Sequence, residues 1–90
     1  DKPTEYGLGQ NYPNPFNPTT NIQFTLPEAG EVNLSLYNML GEKVMELLNN
    51  KMEAGYHNVE LDASDLSSGV YIYCMKTYKG LITKKMTLLR

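Results

Sequence analysis

Residues able to carry chemistry are few in this chain, and they lie far apart. There is one histidine, His57, and one cysteine, Cys74. A Cys–His pair is a simple nucleophilic constellation, but it needs hydrogen-bond reach and a third group to orient the base. Cys74 falls in the middle of an apolar, β-branched run, where a lone thiol behaves as a small hydrophobe. Asp62 and Asp65 could hold a hard cation with backbone carbonyls. The twelve-residue loop and closing glutamate of the commonest calcium site are missing, however. Asp62, Ser64, Asp65 and Ser67 suit Asx and Ser turns better. No metal is expected on that ground, and with no glycine-rich phosphate loop no cofactor is expected either. Asn33-Leu34-Ser35 fits a glycosylation sequon but lies mid-strand, and proline blocks Asn17-Pro18-Thr19. Seven tyrosines without tryptophan could stack on sugars. Yet Tyr71 and Tyr73 stand where a sandwich buries a hydrogen-bonded tyrosine at the start of its penultimate strand. What remains is a late group of cations, Lys84, Lys85 and Arg90.

These side chains must be positioned by strands. Ser68 to Arg90 reads as one long hairpin. Val70 to Thr77 is β-branched and aromatic with no Gly or Pro, Tyr78-Lys79-Gly80 turns, and Leu81 to Leu89 returns. Period 2 puts Tyr71, Tyr73 and Met75 on one face of the first strand. On the second it separates Ile82, Lys84, Met86 and Leu88 from Leu81, Thr83, Lys85, Thr87 and Leu89. A lone hairpin is marginal in water, so a larger sheet is required, with the last strand central or nearly so in it. An ordered strand is thus expected to end one residue before the last, where chains usually fray.

Upstream, Asn21 to Leu26 and Glu31 to Tyr37 alternate cleanly around a Pro27-Glu28-Ala29-Gly30 turn. Tyr56 to Asp62 alternates with His57, Val59 and Leu61 on one face, and Ala63 to Gly69 is a polar corner. Glu42 to Asn50 is ambiguous. Leu40, Val44, Leu47 and Leu48 have the spacing of a helix face, whereas a strand there requires a bulge. A helix would leave the sheet a member short, which favours the strand. Asn11 to Thr20 carries Pro13, Pro15 and Pro18 and reads as a stiff lead-in, with Tyr12 and Phe16 able to pack on the domain. A polyproline ligand for a partner is the sharper reading of that segment, and a rigid linker the plainer one. Asp1 to Gln10 is polar, has Pro3, Gly7 and Gly9, and reads as a linker without a partner strand. The count of strands and turn spacing is that of an all-β sandwich. Its expected core is Ile22, Phe24, Val32, Leu34, Leu36, Val59, Leu61, Tyr71, Tyr73, Met86 and Leu88.

Composition excludes several classes. Ninety residues make one domain with a modest core, and 41% hydrophobic with 20% charged residues is ordinary for a folded chain. A net charge of −2 argues against nucleic-acid binding, which needs a basic stripe. The apolar runs are too short to span a membrane, and the opening Asp1-Lys2-Pro3-Thr4-Glu5 is no signal peptide. The chain is therefore expected to begin at a cut inside a longer protein. A single cysteine rules out an internal disulfide.

Several segments together resemble a known family. They are Tyr12-Pro13-Asn14-Pro15-Phe16-Asn17-Pro18, Tyr37-Asn38-Met39-Leu40-Gly41, Ala54-Gly55-Tyr56-His57, Leu66-Ser67-Ser68-Gly69-Val70-Tyr71 and Lys84-Lys85-Met86-Thr87-Leu88-Leu89-Arg90. Each is weak alone, but in this order, from Leu8 to Arg90, they resemble the type A C-terminal sorting domains of the type IX (Por) secretion system of Bacteroidetes and relatives. The flagellar hook-capping proteins have a similar Ig-like domain without the proline-rich opening. The resemblance implies an Ig-like antiparallel β-sandwich of about seven strands, and it settles Glu42 to Asn50 as strand. It implies residues 1–10 as linker to an upstream cargo and 11–90 as the sorting domain. Such a domain is not an enzyme. It is fused to exported cargo, recognised in the periplasm by the translocon, and removed by a surface protease that can pass the cargo to a lipopolysaccharide anchor. The cargo ends secreted or on the outer-membrane surface. Cys74 departs from the commoner polar or basic residue at its place.

On this reading the export-recognition candidates are Lys84, Lys85, Met86, Leu88 and Arg90. Tyr12, Pro13, Asn14, Pro15, Gly41, Gly55, Gly69, Tyr71 and Gly80 are structural. The alternative is an Ig-like accessory or spacer module of a surface enzyme, binding carbohydrate or separating domains. An address requires the extreme C-terminus, which Arg90 is expected to hold, whereas a spacer does not.

Overall fold

The computed structural model describes residues 3–90, so Asp1 and Lys2 of the expected linker lie outside it. It contains β1 (Gly7–Leu8), β2 (Thr19–Leu26), β3 (Gly30–Tyr37), β4 (Lys43–Met52), β5 (Gly55–Asp62), β6 (Gly69–Thr77) and β7 (Gly80–Leu88). They form two antiparallel sheets, β1-β2-β5 and β4-β3-β6-β7. Among the described residues no helix is long and apolar enough to cross a membrane. The expected antiparallel sandwich is borne out, with the expected number of strands.

Strict alternation drives the packing. Along β2 the odd partners face solvent, while Thr20, Ile22, Phe24 and Leu26 are buried. From the other sheet Val32, Leu34, Leu36, Tyr71, Tyr73, Met75, Met86 and Leu88 meet them, with Leu8, Phe16, Leu61 and Ala63 completing the core. Val59, expected in the core, is only half-buried and packs against its margin. Burial of such side chains at about 1.5–3 kcal/mol each is what offsets the entropy of ordering so short a chain.

Strand β4 is bulged. Leu34 pairs with Leu48 and Ser35 with Glu46, so Leu47 is extra; Leu36 pairs with Met45 and Tyr37 with Lys43, so Val44 is extra. Each bulge shifts the parity of the residues beyond it. Leu48 and Met45, three residues apart, therefore oppose the buried Leu34 and Leu36 on one face. That is why this strand imitates helical spacing.

Two expectations are corrected. The stretch read as a linker has a partner strand after all: Gly7 and Leu8 pair with Thr25 and Phe24. The last strand, β7, is at the edge of its sheet and not near its centre. The edge position follows from the strand order β4-β3-β6-β7, and the partner strand belongs to a crossing between the sheets. The chain starts against β2, passes Gly9 to Pro15, and reaches β7 at Phe16, which bridges Leu88 in parallel. Phe16 is buried there, whereas the Tyr12 ring is 79% exposed and only its backbone is engaged, with Asn21.

Candidate functional site

The five recognition candidates share β7 and its exit, but the fold gives them different tasks. Met86 and Leu88 point inward and are wholly buried, so their side chains belong to the core. Arg90 is committed elsewhere. Its guanidinium Nη1 donates to the carbonyls of Ala63, Ser64 and Leu66 in the β5–β6 corner, the last at 2.6 Å. Its backbone N–H donates to Ser68 Oγ at 3.0 Å. Convergent carbonyls offer a concentrated negative potential that a planar, multi-donor cation answers well. Lys84 opposes Tyr73 on the inner side and is half-buried; Lys85 opposes Ile72 on the outer side and is exposed. Replacing Arg90 with methionine is expected to lower stability by about 1 kcal/mol, against about 0.5 or less for Lys85→Ala. Urea unfolding of both variants measures this.

The proline-rich segment holds β7 from outside. Asn14 Oδ1 accepts from the Thr87 N–H at 3.0 Å. The Phe16 N–H donates to Thr87 O, and Phe16 O accepts from the Leu89 N–H, both at 3.0 Å. Gln10 Nε2 donates to Lys85 O at 2.7 Å. Behind this seam lies a buried polar network. Tyr73 Oη donates to Gly9 O at 2.7 Å and accepts from the Asn11 N–H at 2.9 Å. Asn11 Nδ2 donates to Pro13 O and Thr20 Oγ1, both at 3.1 Å, and Thr20 Oγ1 donates to Pro13 O at 2.8 Å. Every buried side-chain polar atom among the described residues has a partner, as a well-specified interior requires. Asn11 and Gln10 went unnoticed in the sequence, because an asparagine beside prolines looks like a turn residue and nothing local marks it as buried.

Tyr71 Oη donates to Ser67 O at 2.6 Å, the corner tyrosine of an Ig-type sandwich. Gly41, Gly55, Gly69 and Gly80 take φ of 85, 138, 154 and 130°. At Gly41 this closes the β3–β4 turn, where Asn38 Oδ1 also accepts from the N–H groups of Leu40 and Glu42. At Gly80 it lets Thr77 pair directly with the glycine. Any side chain at either position would be strained.

The other chemistry-bearing residues are not brought together. His57 is in the β1-β2-β5 sheet, its ring stacked on Phe24 at 5.1 Å and its Nε2 2.7 Å from Glu53 O. Cys74 is on the outer face of the other sheet, in an open groove of about 420 Å³ with Tyr37, Ile72 and Leu81. Burial pushes its thiol pKa up, which keeps it protonated and a poor nucleophile. Asp62 caps the corner: its Oδ1 accepts from the Ser64 N–H at 3.0 Å and from the Ser64 hydroxyl. Those bonds, the hydroxyl first, hold its carboxyl below the usual range.

A family model described as a secretion system C-terminal sorting domain matches residues 10–88. Comparison with curated proteins returned no match.

Proposed function

The chain belongs to the family of secretion system C-terminal sorting domains, and from that premise we propose that strand β7 is the element read during export, through Lys84 and Lys85. Domains of this family are the sorting signals of type IX cargo and are not themselves catalytic; they direct export to the cell surface or outside. The observation that carries the finer reading is a process of elimination on one strand. Met86 and Leu88 are spent on the core and Arg90 on the corner, which leaves the two lysines as β7's uncommitted cations. Recognition takes place in the periplasm, before passage through the outer-membrane translocon. The domain carries no activity of its own and is fused to an upstream cargo.

Lys84→Ala with Lys85→Ala tests this on a reporter fused upstream. Lys85→Ala is a surface change costing about 0.5 kcal/mol or less, and Lys84→Ala, which also trims a half-buried stem, costs about 1 kcal/mol, so the domain should stay folded. Export is expected to fall about tenfold, the equivalent of roughly 1.4 kcal/mol of lost recognition. Undiminished export of a folded double mutant would remove the two lysines from the mechanism.

We further propose that a surface protease cleaves upstream of the tied segment. A protease binds its substrate extended, and Gly7 to Asn11 already makes strand and hydrogen-bond contacts to β2 and Tyr73. Tyr6 packs edge-on to Tyr78 at 6.2 Å, and Glu5 O accepts from Thr25 Oγ1. The cut therefore falls before or within residues 1–5, and the released fragment retains Gly7 to Asn11. Mass spectrometry of the shed domain checks this; a fragment starting after Gln10 would show that the tie opens first.

A further inference from the structure

The chain's charges are unevenly divided. All ten acidic residues precede Leu66, whereas residues 66–90 carry Lys76, Lys79, Lys84, Lys85 and Arg90 and no carboxylate. The one ion pair among the described residues is Lys43–Glu46, so none of the lysines on the β6–β7 hairpin is paired. This cationic hairpin ends in an edge strand whose backbone is only partly used. The β6–β7 register runs without a bulge, and Thr87 turns both its N–H and its C=O away from β6, to Asn14 and Phe16. Ladder direction alternates along a strand, so Lys85, Thr83 and Leu81 also turn their backbone groups outward. Gln10 takes the Lys85 carbonyl. The Lys85 N–H and both backbone groups of Thr83 and Leu81 have no hydrogen-bond partner among the described residues.

An unpaired edge is a template for another strand, and main-chain pairing of this kind is a recurrent way to capture a peptide. Charge selects the occupant. Lysines at this edge repel a second copy of itself, and they favour carboxylates on the incoming strand. The other long edges suit such a strand less: β4 is broken by two bulges, and β5 exposes Glu60 and Asp62. We propose that the open edge from Leu81 to Lys85 captures an extended acidic segment of the export machinery by strand addition, with Lys84 and Lys85 meeting its carboxylates on opposite faces. This rests on β7 being the element read, and it adds how the reading is done.

The first test is binding of a capped seven-residue peptide of alternating glutamate and valine to the isotopically labelled chain, followed by nuclear magnetic resonance and hydrogen exchange. The amides of Thr83 and Lys85 should shift and exchange more slowly. A lysine–valine peptide should not bind, and Lys84→Gln with Lys85→Gln should weaken the acidic peptide about fivefold or more. Absence of binding, equal binding of the lysine peptide, or shifts confined to the outer face would overturn the proposal. So would concentration-dependent self-association competing with the peptide, since the occupant would then be a second copy.

The second test is export of a reporter carrying Thr83→Pro. An edge position whose N–H faces solvent tolerates proline without losing a ladder bond, but proline cannot pair with an added strand. A folded and unexported variant supports strand addition. A folded variant that exports normally, while the Lys84/Lys85 double mutant does not, overturns strand addition and leaves lysine recognition standing. Normal export of both overturns both readings. If Thr83→Pro fails to fold, the peptide result on the unaltered chain decides.

Discussion

Phe24→Ala is expected to destabilise the domain by about 3–5 kcal/mol, a large share of the stability of a small domain. Phe24 is 1% exposed and lies mid-way along β2, the central strand of its sheet. It pairs with Leu8 of β1 on one side and His57 of β5 on the other. Removing the ring opens a cavity between the sheets that neighbours locked in a seven-strand frame cannot collapse to fill. It also removes the stacking surface of the His57 ring, 5.1 Å away. Val59→Ala, at the half-buried margin of the same sheet, should cost only about 1 kcal/mol. Urea titrations of the two variants separate these values; similar midpoints would mean that the core is not centred where the structure places it.

Tyr73→Phe is the second large effect, expected at about 2–3 kcal/mol. The substitution keeps the ring and deletes only the hydroxyl, so little packing is lost. It leaves the Asn11 N–H without its acceptor in a buried position and Gly9 O without its donor in a part-buried one. Unsatisfied buried groups cost more than the bond itself contributes. The loss should concentrate on the tie between Gly7–Asn11 and the sandwich, which would be seen as faster proteolysis upstream of Tyr12. The same residue governs alkaline behaviour. Burial, opposed by the Asn11 hydrogen bond, raises the Tyr73 pKa above its ordinary 10.0. The folded state thus favours the neutral phenol. The stability it lends is complete below about pH 10 and is lost as pH climbs through the raised value. Tyr78 acts in the same direction, its phenol pushed up to about 12 chiefly by its hydrogen bond to Glu28. Tyr73→Phe should flatten part of the alkaline fall in stability that sets in near pH 10, and Tyr78→Phe the part that runs on towards about pH 12. An unchanged slope in Tyr73→Phe would assign the whole effect to Tyr78.

Much of this protein is legible residue by residue. Alternation in Asn21 to Leu26, Glu31 to Tyr37 and Val70 to Thr77 has a period of two, a local property that needs no knowledge of the partner strand. Turns at Gly41, Gly55 and Gly80 are likewise local, because positive φ selects glycine whatever surrounds it. The ordered segments from Leu8 to Arg90 carried the resemblance to the family, which the family model bears out over residues 10–88. The candidate site was legible only as a strand with five named residues, not as five different tasks.

Tertiary structure alone decided those tasks, since they depend on contacts between residues remote in the chain. Gln10 reaches Lys85 across 75 positions, and Tyr73 reaches Gly9 across 64. Neither end of such a contact has a pattern of its own. The polar opening therefore reads as a linker until its partner strand is known, and Arg90 reads as a free cation until the Ala63–Leu66 carbonyls are seen around it. Whether β7 is central or at an edge is equally invisible to periodicity, which reports which face is buried but not how many neighbours a strand has. Composition and spacing determined that these residues make a two-faced sheet protein of this family; long-range pairing determined which strand lies at the sheet edge and which side chains the core and the β5–β6 corner engage.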